Sequence, residues 1–221
     1  FHREASAHGA SLGLRINPQF STQTGHAIYD PCSKGSRLGI AAANFPETLP
    51  DWIEGLHFHT LCEQNSDALE ATLCAVEEKF GKHLKRIKWI NFGGGHHITR
   101  ADYDIARLKR CINKMADKYG LEVYLEPGEA VALNAGELIS EVLDIVENDG
   151  KIALLDASAA CHMPDVIEMP YTPPLANAGK PGEKGFDYTL AGATCLAGDV
   201  IGKYSFNEPL KIGDRVKFQD M

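Results

Sequence analysis

Apolar residues in positions 1–130 alternate between a spacing typical of strands and a spacing typical of helices. Short apolar runs that stop at Pro, His or Gly predict strands, whereas apolar residues three or four apart predict helices. Strands and helices in alternation are typical of parallel strands with crossover helices, so we predict an α/β barrel or an open α/β sheet. The predicted strands are 12–18, 55–60, 87–92 and 123–125, and the predicted helices are 66–80, which Gly81 ends, and 102–119, which Gly120 ends.

The pattern changes after residue 131 and predicts a second, β-rich domain, so the domains are expected at 1–132 and 133–221. Residues 138–146 and 152–156 read as two strands, and the Asn148-Asp149-Gly150 sequence between them predicts a hairpin turn. Residues 164–185 are rich in Pro and Gly and predict an exposed excursion. Residues 188–216 are strand-like again, with turns at Gly198 and Gly213.

Charge and composition narrow the range of partners. The formal net charge is −8 and no block of basic residues stands out, which disfavours nucleic acid and anionic membranes and suits a small cationic molecule. No apolar run reaches the roughly 18 to 20 residues that span a bilayer. The six cysteines form no C-x-x-C pair, which favours reduced thiols in a cytoplasmic protein. Phe1 and Met221 both lie at or beside strand-like runs, so we expect a fragment of a longer protein.

Chemically distinctive residues follow the predicted strands at their carboxyl ends. In a parallel barrel these ends share one rim, where active sites lie. Glycines in succession let the backbone approach an anion and present N–H donors, although a flexible turn would need the same residues. A carboxylate at a strand end suits a cationic nitrogen. These residues are Asn17, His59, Gly93, Gly94, Gly95 and Glu126.

Histidines near the same rim leave a second interpretation open. His57 and His59 share one strand face by period-two alternation, and His59 suits stacking on a planar ring. The His-x-His pattern also suits a metal, with His96 and His97 nearby, so a metal-dependent barrel hydrolase using His57, His59 and His96 is an alternative. Cys195 suits proton donation to a carbanion or plain packing, and a third alternative is a non-catalytic cofactor carrier.

Taken in order, these motifs resemble the fold-type III pyridoxal-phosphate decarboxylases, the family of ornithine and diaminopimelate decarboxylases. The resemblance covers nearly the whole chain. Within the family, residues 55–64 and 193–199 look most like the members that act on carboxynorspermidine or carboxyspermidine in polyamine synthesis. The matching residues are 14–18 (LRINP), Ser33-Lys34, Phe58-His59, Gly93–Gly95, Glu126-Pro127-Gly128 and Thr194-Cys195 with Gly198-Asp199.

The resemblance implies an alanine racemase-like fold. Residues 1–132 would be the C-terminal half of a (β/α)8 TIM-like barrel that binds the cofactor, and residues 133–221 part of a β-rich C-terminal domain. His59 would stack on the ring of pyridoxal 5'-phosphate, and Cys195 would act as proton donor in the active site of the partner subunit of a homodimer. The implied cofactor-binding residues are His59, Gly93, Gly94, Gly95, Glu126 and Gly128.

Physical chemistry favours decarboxylation over racemisation. A carboxylate such as Glu126 against the pyridine nitrogen keeps that nitrogen protonated, which makes the ring a strong electron sink. An Arg in that place would keep the ring neutral. Together with the resemblance of residues 55–64 and 193–199, this makes a decarboxylase of carboxynorspermidine or carboxyspermidine the leading hypothesis. A decarboxylase of the ornithine or diaminopimelate type is the nearer alternative.

The chain departs from the family's pattern at a position that indicates the substrate, and it contains no match to the family's Schiff-base lysine. Glu129 stands where relatives usually have Arg, so the distal end of the substrate is expected to be an amine. Asp165 is paired with Glu129 as a second amine anchor, and Asp199 is also assigned to the substrate. In this family the Schiff-base lysine sits on the first barrel strand, so the resemblance places it upstream of these residues. Neither Lys34 nor Lys88 lies at a comparable strand end. The 221-residue chain alone is therefore expected to be inactive.

Overall fold

The computed structural model describes residues 2–25 and 27–221 and divides the chain into two compact units, residues 1–131 and 132–221. The first unit contains a five-stranded sheet flanked by two long helices. Its strands are β1 (Leu12–Asn17), β2 (Ile40–Ala41), β3 (Ile53–His57), β4 (Trp89–Asn91) and β5 (Glu122–Tyr124), and its helices are α1 (His2–Ala7), α2 (Ser66–Leu84), α3 (Ile105–Tyr119) and α4 (Gly128–Ala132).

The sheet of the first unit has the order β2-β1-β3-β4-β5, and all its described pairs are parallel. The predicted parallel α/β arrangement is therefore confirmed. At the carboxyl end of the sheet His57 pairs with Asn91, and Asn91 pairs with Tyr124. This register brings the residues that follow β3, β4 and β5 to one edge.

Trp89 packs across neighbouring strands at the other end of the sheet. Its indole lies over Gly13 of β1 and Gly55 of β3, where an added Cβ would come within 2.3 Å and 2.0 Å of ring atoms. The indole Nε1 donates to Ser11 Oγ at 2.8 Å. The two glycines thus leave room for one large side chain across three strands.

Helix α2 differs from the prediction at its end. Gly81 was expected to end it, but the helix continues to Leu84, so that prediction is wrong. Phe80 and Leu84 are both fully buried, and burial of another apolar turn outweighs the cost of about 1 kcal/mol for a glycine inside a helix. Helix α3 ends as predicted, because Gly120 adopts φ of 72° as its C-cap.

Two elements near the start were not predicted. Helix α1 buries none of its residues, so it carries no apolar periodicity that a pattern could reveal. Strand β2 has only two residues and pairs Ile40 with Ile16. Short elements such as these depend on neighbours rather than on their own sequence.

The second unit contains a mixed five-stranded sheet with the order β10-β6-β7-β8-β9. Strands β7 and β8 are parallel, and the other pairs are antiparallel. The strands are β6 (Glu137–Glu147), β7 (Lys151–Leu155), β8 (Phe186–Ala191), β9 (Val200–Phe206) and β10 (Arg215–Gln219), and the short helices are α5 (Ala159–His162) and α6 (Asp165–Glu168).

The predicted hairpin is confirmed, because β6 and β7 pair across a turn in which Asp149 and Gly150 have positive φ. The predicted exposed excursion at 164–185 is only partly right. It contains α6, and Val166 and Leu175 are each 8% exposed and belong to the core of this unit. In the described part of the chain, no helix is long and apolar enough to cross a membrane.

A partly buried carboxylate joins α2 to α3. Glu77 on α2 accepts hydrogen bonds from Lys114, Lys118 and Tyr119 on α3. Burial alone would raise the pKa of Glu77, but the hydrogen bonds from the two lysines and the tyrosine outweigh it and lower the pKa to about 2. The ionised form of Glu77 therefore stabilises the helix pair.

We expect Glu77→Gln to lower the free energy of unfolding by up to about 3 kcal/mol near pH 7. Because the folded-state pKa is depressed, this stabilisation is present above the ordinary pKa of a glutamate and is lost as the pH falls towards about 2. Urea unfolding of both proteins at several pH values measures the difference. The exposed Glu78→Gln is the control, and an effect of Glu77→Gln that does not shrink in acid would contradict this assignment.

Candidate functional site

The predicted strand-end residues lie along the carboxyl edge of the parallel sheet. His59, Gly93 and Glu126 each stand two residues beyond the end of β3, β4 and β5. The cross-strand pairs continue past the strands, since Phe58 N–H donates to the Asn91 carbonyl and Glu126 N–H donates to the Gly93 carbonyl at 2.9 Å. Register alone therefore brings these three residues together.

Glu126 is the centre of this group. Its carboxylate accepts a hydrogen bond from Asn91 Nδ2 at 2.8 Å and lies 3.6 Å from His57 Nε2 and 4.0 Å from His59 Nδ1. Burial lowers the pKa of both histidines below the ordinary value, more than the nearby carboxylate raises it. At neutral pH the imidazoles are therefore uncharged, and the negative charge of Glu126 is not neutralised by them.

Asn91 was not singled out by the sequence, yet it connects two parts of the site. Its side-chain oxygen accepts from Gly93 N–H at 2.8 Å while its amide nitrogen donates to Glu126. The last residue of β4 thus holds both the start of the glycine loop and the carboxylate. A polar residue inside the otherwise apolar Trp89–Phe92 run, directly before three glycines, was the signal that could have found it.

The glycine loop passes very close to its neighbours. An added Cβ would lie 2.4 Å from the Phe58 carbonyl at Gly93, 2.8 Å from the Glu126 carbonyl at Gly94 and 2.0 Å from the Leu61 carbonyl at Gly95. Gly93 and Gly95 also have φ of 73° and 77°, which disfavours side chains. Packing of the chain on itself therefore requires these glycines, whatever the loop binds.

The amides of this loop differ in their availability to an anion. Gly93 N–H donates to Asn91, and Gly94 N–H donates to His59 Nδ1 at 3.2 Å, which places the imidazole proton on Nε2. Among the described residues, Gly95 N–H donates to no protein acceptor. Gly128 N–H is used in its own turn, where it donates to the Glu126 carbonyl at 2.9 Å.

Arg15 brings a positive charge to the same edge. The guanidinium extends from β1, and its Nη2 donates to the His59 carbonyl at 3.4 Å. A cleft of about 290 Å³ beside it is lined by Arg15, Tyr29, Asp30, Pro31 and His59 among others. Arg15 Nε and His57 Nε2 are buried and have no hydrogen-bond partner within the described ranges 2–25 and 27–221. Unsatisfied donors, a carboxylate and a facing imidazole fit a phosphorylated pyridine.

Three further residues from the sequence analysis, Glu129, Lys88 and Asn17, have contacts of their own. Glu129 on α4 accepts from Thr99 Oγ1 at 2.7 Å through both carboxylate oxygens and lies 3.6 Å from His97 Nε2. Lys88 lies before β4, at the opposite end of the strand from Asn91, and pairs with Glu54. Asn17 caps a local turn, since its side chain accepts from Gln19 N–H.

The alternative metal site differs from the predicted set of His57, His59 and His96, because Glu126 takes the place of His96. The ligand atoms of His57, His59 and Glu126 all lie within 4.8 Å of one another, so Glu126 supplies the third ligand that the sequence offered no reason to assign. His96 is not a member of this group. It is 3% exposed, and burial lowers its pKa to about 4, so it is a neutral core residue.

Three predicted residues lie in the second unit. Cys195 is exposed and unpaired by disulfide, and Asp165 is exposed at the start of α6. Asp199 is 2% exposed, and its carboxylate accepts from Thr194 Oγ1 at 2.7 Å and from Ala160 N–H at 3.3 Å. Burial alone would raise its pKa, but these hydrogen bonds lower it, so the ionised Asp199 fixes the loop that carries Cys195.

Comparison with known families places the chain in one of them. Residues 26–221 match the family of pyridoxal-dependent decarboxylases, C-terminal sheet domain, and the chain belongs to this family.

Two similar proteins in this family are decarboxylases of carboxylated polyamines or of a related compound. The chain is 49% identical over 232 residues to the carboxynorspermidine/carboxyspermidine decarboxylase of Campylobacter jejuni, covering 100% of this chain and 60% of that protein. It is 44% identical over 212 residues to the carboxyaminopropylagmatine decarboxylase of Synechocystis sp., covering 95% of this chain and 54% of that protein.

A solved structure of such a decarboxylase is also similar to this chain. The crystal structure of Campylobacter jejuni carboxynorspermidine decarboxylase complexed with norspermidine superposes with a TM-score of 0.84 at 48% sequence identity. The match covers 99% of this chain and 60% of that one. The chain thus spans less than two thirds of the length of the relatives it matches.

We expect Gly95→Ala to destabilise the first unit by at least about 2 kcal/mol, because the new methyl group would meet the Leu61 carbonyl in a left-handed backbone conformation. Chemical denaturation of the two proteins measures this. Gly128→Ala is the matched control, since nothing lies within 4 Å of its added Cβ, and we expect a change within about 0.5 kcal/mol. Equal stability of the Gly95 variant and the parent would show that the loop relaxes freely.

Proposed function

We propose that the whole protein is a pyridoxal-phosphate-dependent decarboxylase that converts carboxynorspermidine or carboxyspermidine to norspermidine or spermidine in polyamine biosynthesis. The observation that carries this proposal is the joint position of His59, Glu126 and the glycine loop at one sheet edge. Identity of 49% across the whole chain to a decarboxylase of these substrates supports the choice of substrate.

We assign residues 1–132 to the C-terminal half of a (β/α)8 barrel of the alanine racemase-like type and residues 133–221 to part of a β-rich C-terminal domain. The parallel order β1-β3-β4-β5 with α2 and α3 as crossover helices supports the barrel assignment. The mixed sheet β6–β10 supports the second domain.

The residues at the sheet edge would hold the cofactor as follows. His59 would face the ring, and Gly95 N–H and Arg15 would face the phosphate. Gly93 and Gly94 would form the loop that presents this amide, and Gly128 would allow close approach. Glu126 would hold a proton on the pyridine nitrogen, and Asn91 keeps the carboxylate in place. Bound pyridoxal phosphate supplies an electron sink for the electrons left when CO₂ departs.

Further residues would bind the substrate and transfer the proton. Glu129, held by Thr99, and Asp165 would bind the cationic amines of a carboxylated polyamine. Cys195 would donate the proton at the active site of a partner subunit in a homodimer. Because Asp199 is buried and already accepts hydrogen bonds, we assign it to positioning the Cys195 loop rather than to direct substrate contact. We place the enzyme in the cytoplasm.

Release of CO₂ by the full-length protein tests the substrate. We expect kcat/KM to be highest for carboxynorspermidine or carboxyspermidine and much lower for ornithine and diaminopimelate. Preference for diaminopimelate, whose distal end carries a carboxylate, would refute the role of Glu129. Preference for carboxyaminopropylagmatine would keep the decarboxylase class and change the substrate to that of the Synechocystis relative.

Glu126→Gln tests the cofactor contact directly. The amide cannot hold a proton on the pyridine nitrogen as a carboxylate does, so we expect kcat to fall about a hundredfold or more. Steady-state kinetics of the full-length variant measure the loss, and absorbance of the bound cofactor shows whether it is still held. Glu122→Gln, exposed at the other end of β5, is the control and should keep the parent kcat. A fully active Glu126→Gln enzyme would remove the basis of the proposal.

A further inference from the structure

Three side chains at the sheet edge, His57, His59 and Glu126, together form a possible set of metal ligands. The proposed reaction uses His59 and Glu126 to hold the cofactor and gives His57 no role. His57 and His59 reach the same side through their spacing of two residues, and Glu126 approaches from the end of β5. Their ligand atoms all lie within 4.8 Å of one another. The two contacts to the carboxylate measure 3.6 Å from His57 and 4.0 Å from His59.

These separations are somewhat longer than those between the ligand atoms of a bound metal ion. Ligand atoms about 2.0–2.1 Å from a tetrahedral zinc ion are about 3.3–3.4 Å from each other, so small side-chain rotations would complete the geometry. Two imidazoles and one carboxylate are ligands that Zn²⁺ and Co²⁺ accept readily. His57 Nε2 is buried, and in the part of the chain that the structure describes it makes no hydrogen bond, since its contact with Glu126 measures 3.6 Å.

Two features set the strength of such a site. His59 Nδ1 accepts from Gly94 N–H and must give up this hydrogen bond to bind a metal. Arg15 lies beside His59 and its charge opposes that of a cation. We therefore expect micromolar rather than nanomolar affinity.

We propose that in the cofactor-free protein His57, His59 and Glu126 bind one divalent transition metal ion such as Zn²⁺, and that this metal and the cofactor exclude each other. The exclusion rests on the proposed function, because it requires His59 and Glu126 to be the residues that face the pyridine ring. The metal would thus act as an inhibitor of cofactor loading.

Titration of the cofactor-free, full-length protein with Co²⁺ tests the site, because its visible absorption reports the coordinating atoms. We expect one equivalent bound through nitrogen and oxygen, with no sulfur-to-cobalt charge-transfer band. His57→Ala should weaken Co²⁺ binding by at least about tenfold. His97→Ala is the matched control, since His97 lies at the same 3.6 Å from Glu129 but lacks a second histidine, and it should bind Co²⁺ like the parent.

The possible outcomes separate this proposal from the proposed function. Absence of Co²⁺ binding in protein that still takes up pyridoxal phosphate would overturn the metal site and leave the function intact. A charge-transfer band, which would place the metal on cysteines, or equal loss in both variants would also overturn it. Co²⁺ binding that saturating pyridoxal phosphate does not reduce would refute the exclusion and the position assigned to the cofactor.

Discussion

Backbone pairing places His57, Asn91 and Tyr124 side by side across β3, β4 and β5, and the geometry of the candidate site follows from this register. Successive residues of a strand point to opposite faces, so a slip by one residue would turn His57 and Asn91 away from Glu126. The polar contacts of Glu126 are therefore a consequence of sheet pairing. These polar contacts are too few to set the register. The register is secured by the buried residues Leu56 and Ile90.

Glycines near this edge serve packing first and chemistry second. The loop 93–95 lies so close to the carbonyls of Phe58, Leu61 and Glu126 that no side chain fits. Among the described residues the Gly95 amide is left without a protein acceptor, while Asn91 and His59 accept from the other two. A loop packed for steric reasons thus also presents a donor to an anion, and the two explanations of the three glycines are compatible.

The sequence predicted those features that repeat along the chain or depend on residue type. The parallel strands, the end of α3 at Gly120 and the β6–β7 hairpin follow from apolar periodicity and turn residues. Gly81 misled because two fully buried residues four apart outweigh a local preference. Asn91 was missed because its importance lies in two contacts across strands, and Trp89 over two glycines is likewise invisible to a local pattern.

The electrostatics of the edge explain why both a protonated ring nitrogen and a metal ion suit it. Burial keeps His57 and His59 neutral, so the charge of Glu126 is left for a cation that enters the site. For the proposed cofactor, a protonated pyridine would need only the carboxylate and a facing imidazole, and its phosphate would gain from Arg15 and the Gly95 amide. A metal ion uses both imidazoles but meets Arg15 as a repulsive charge. The same arginine therefore favours the anionic cofactor over a simple cation.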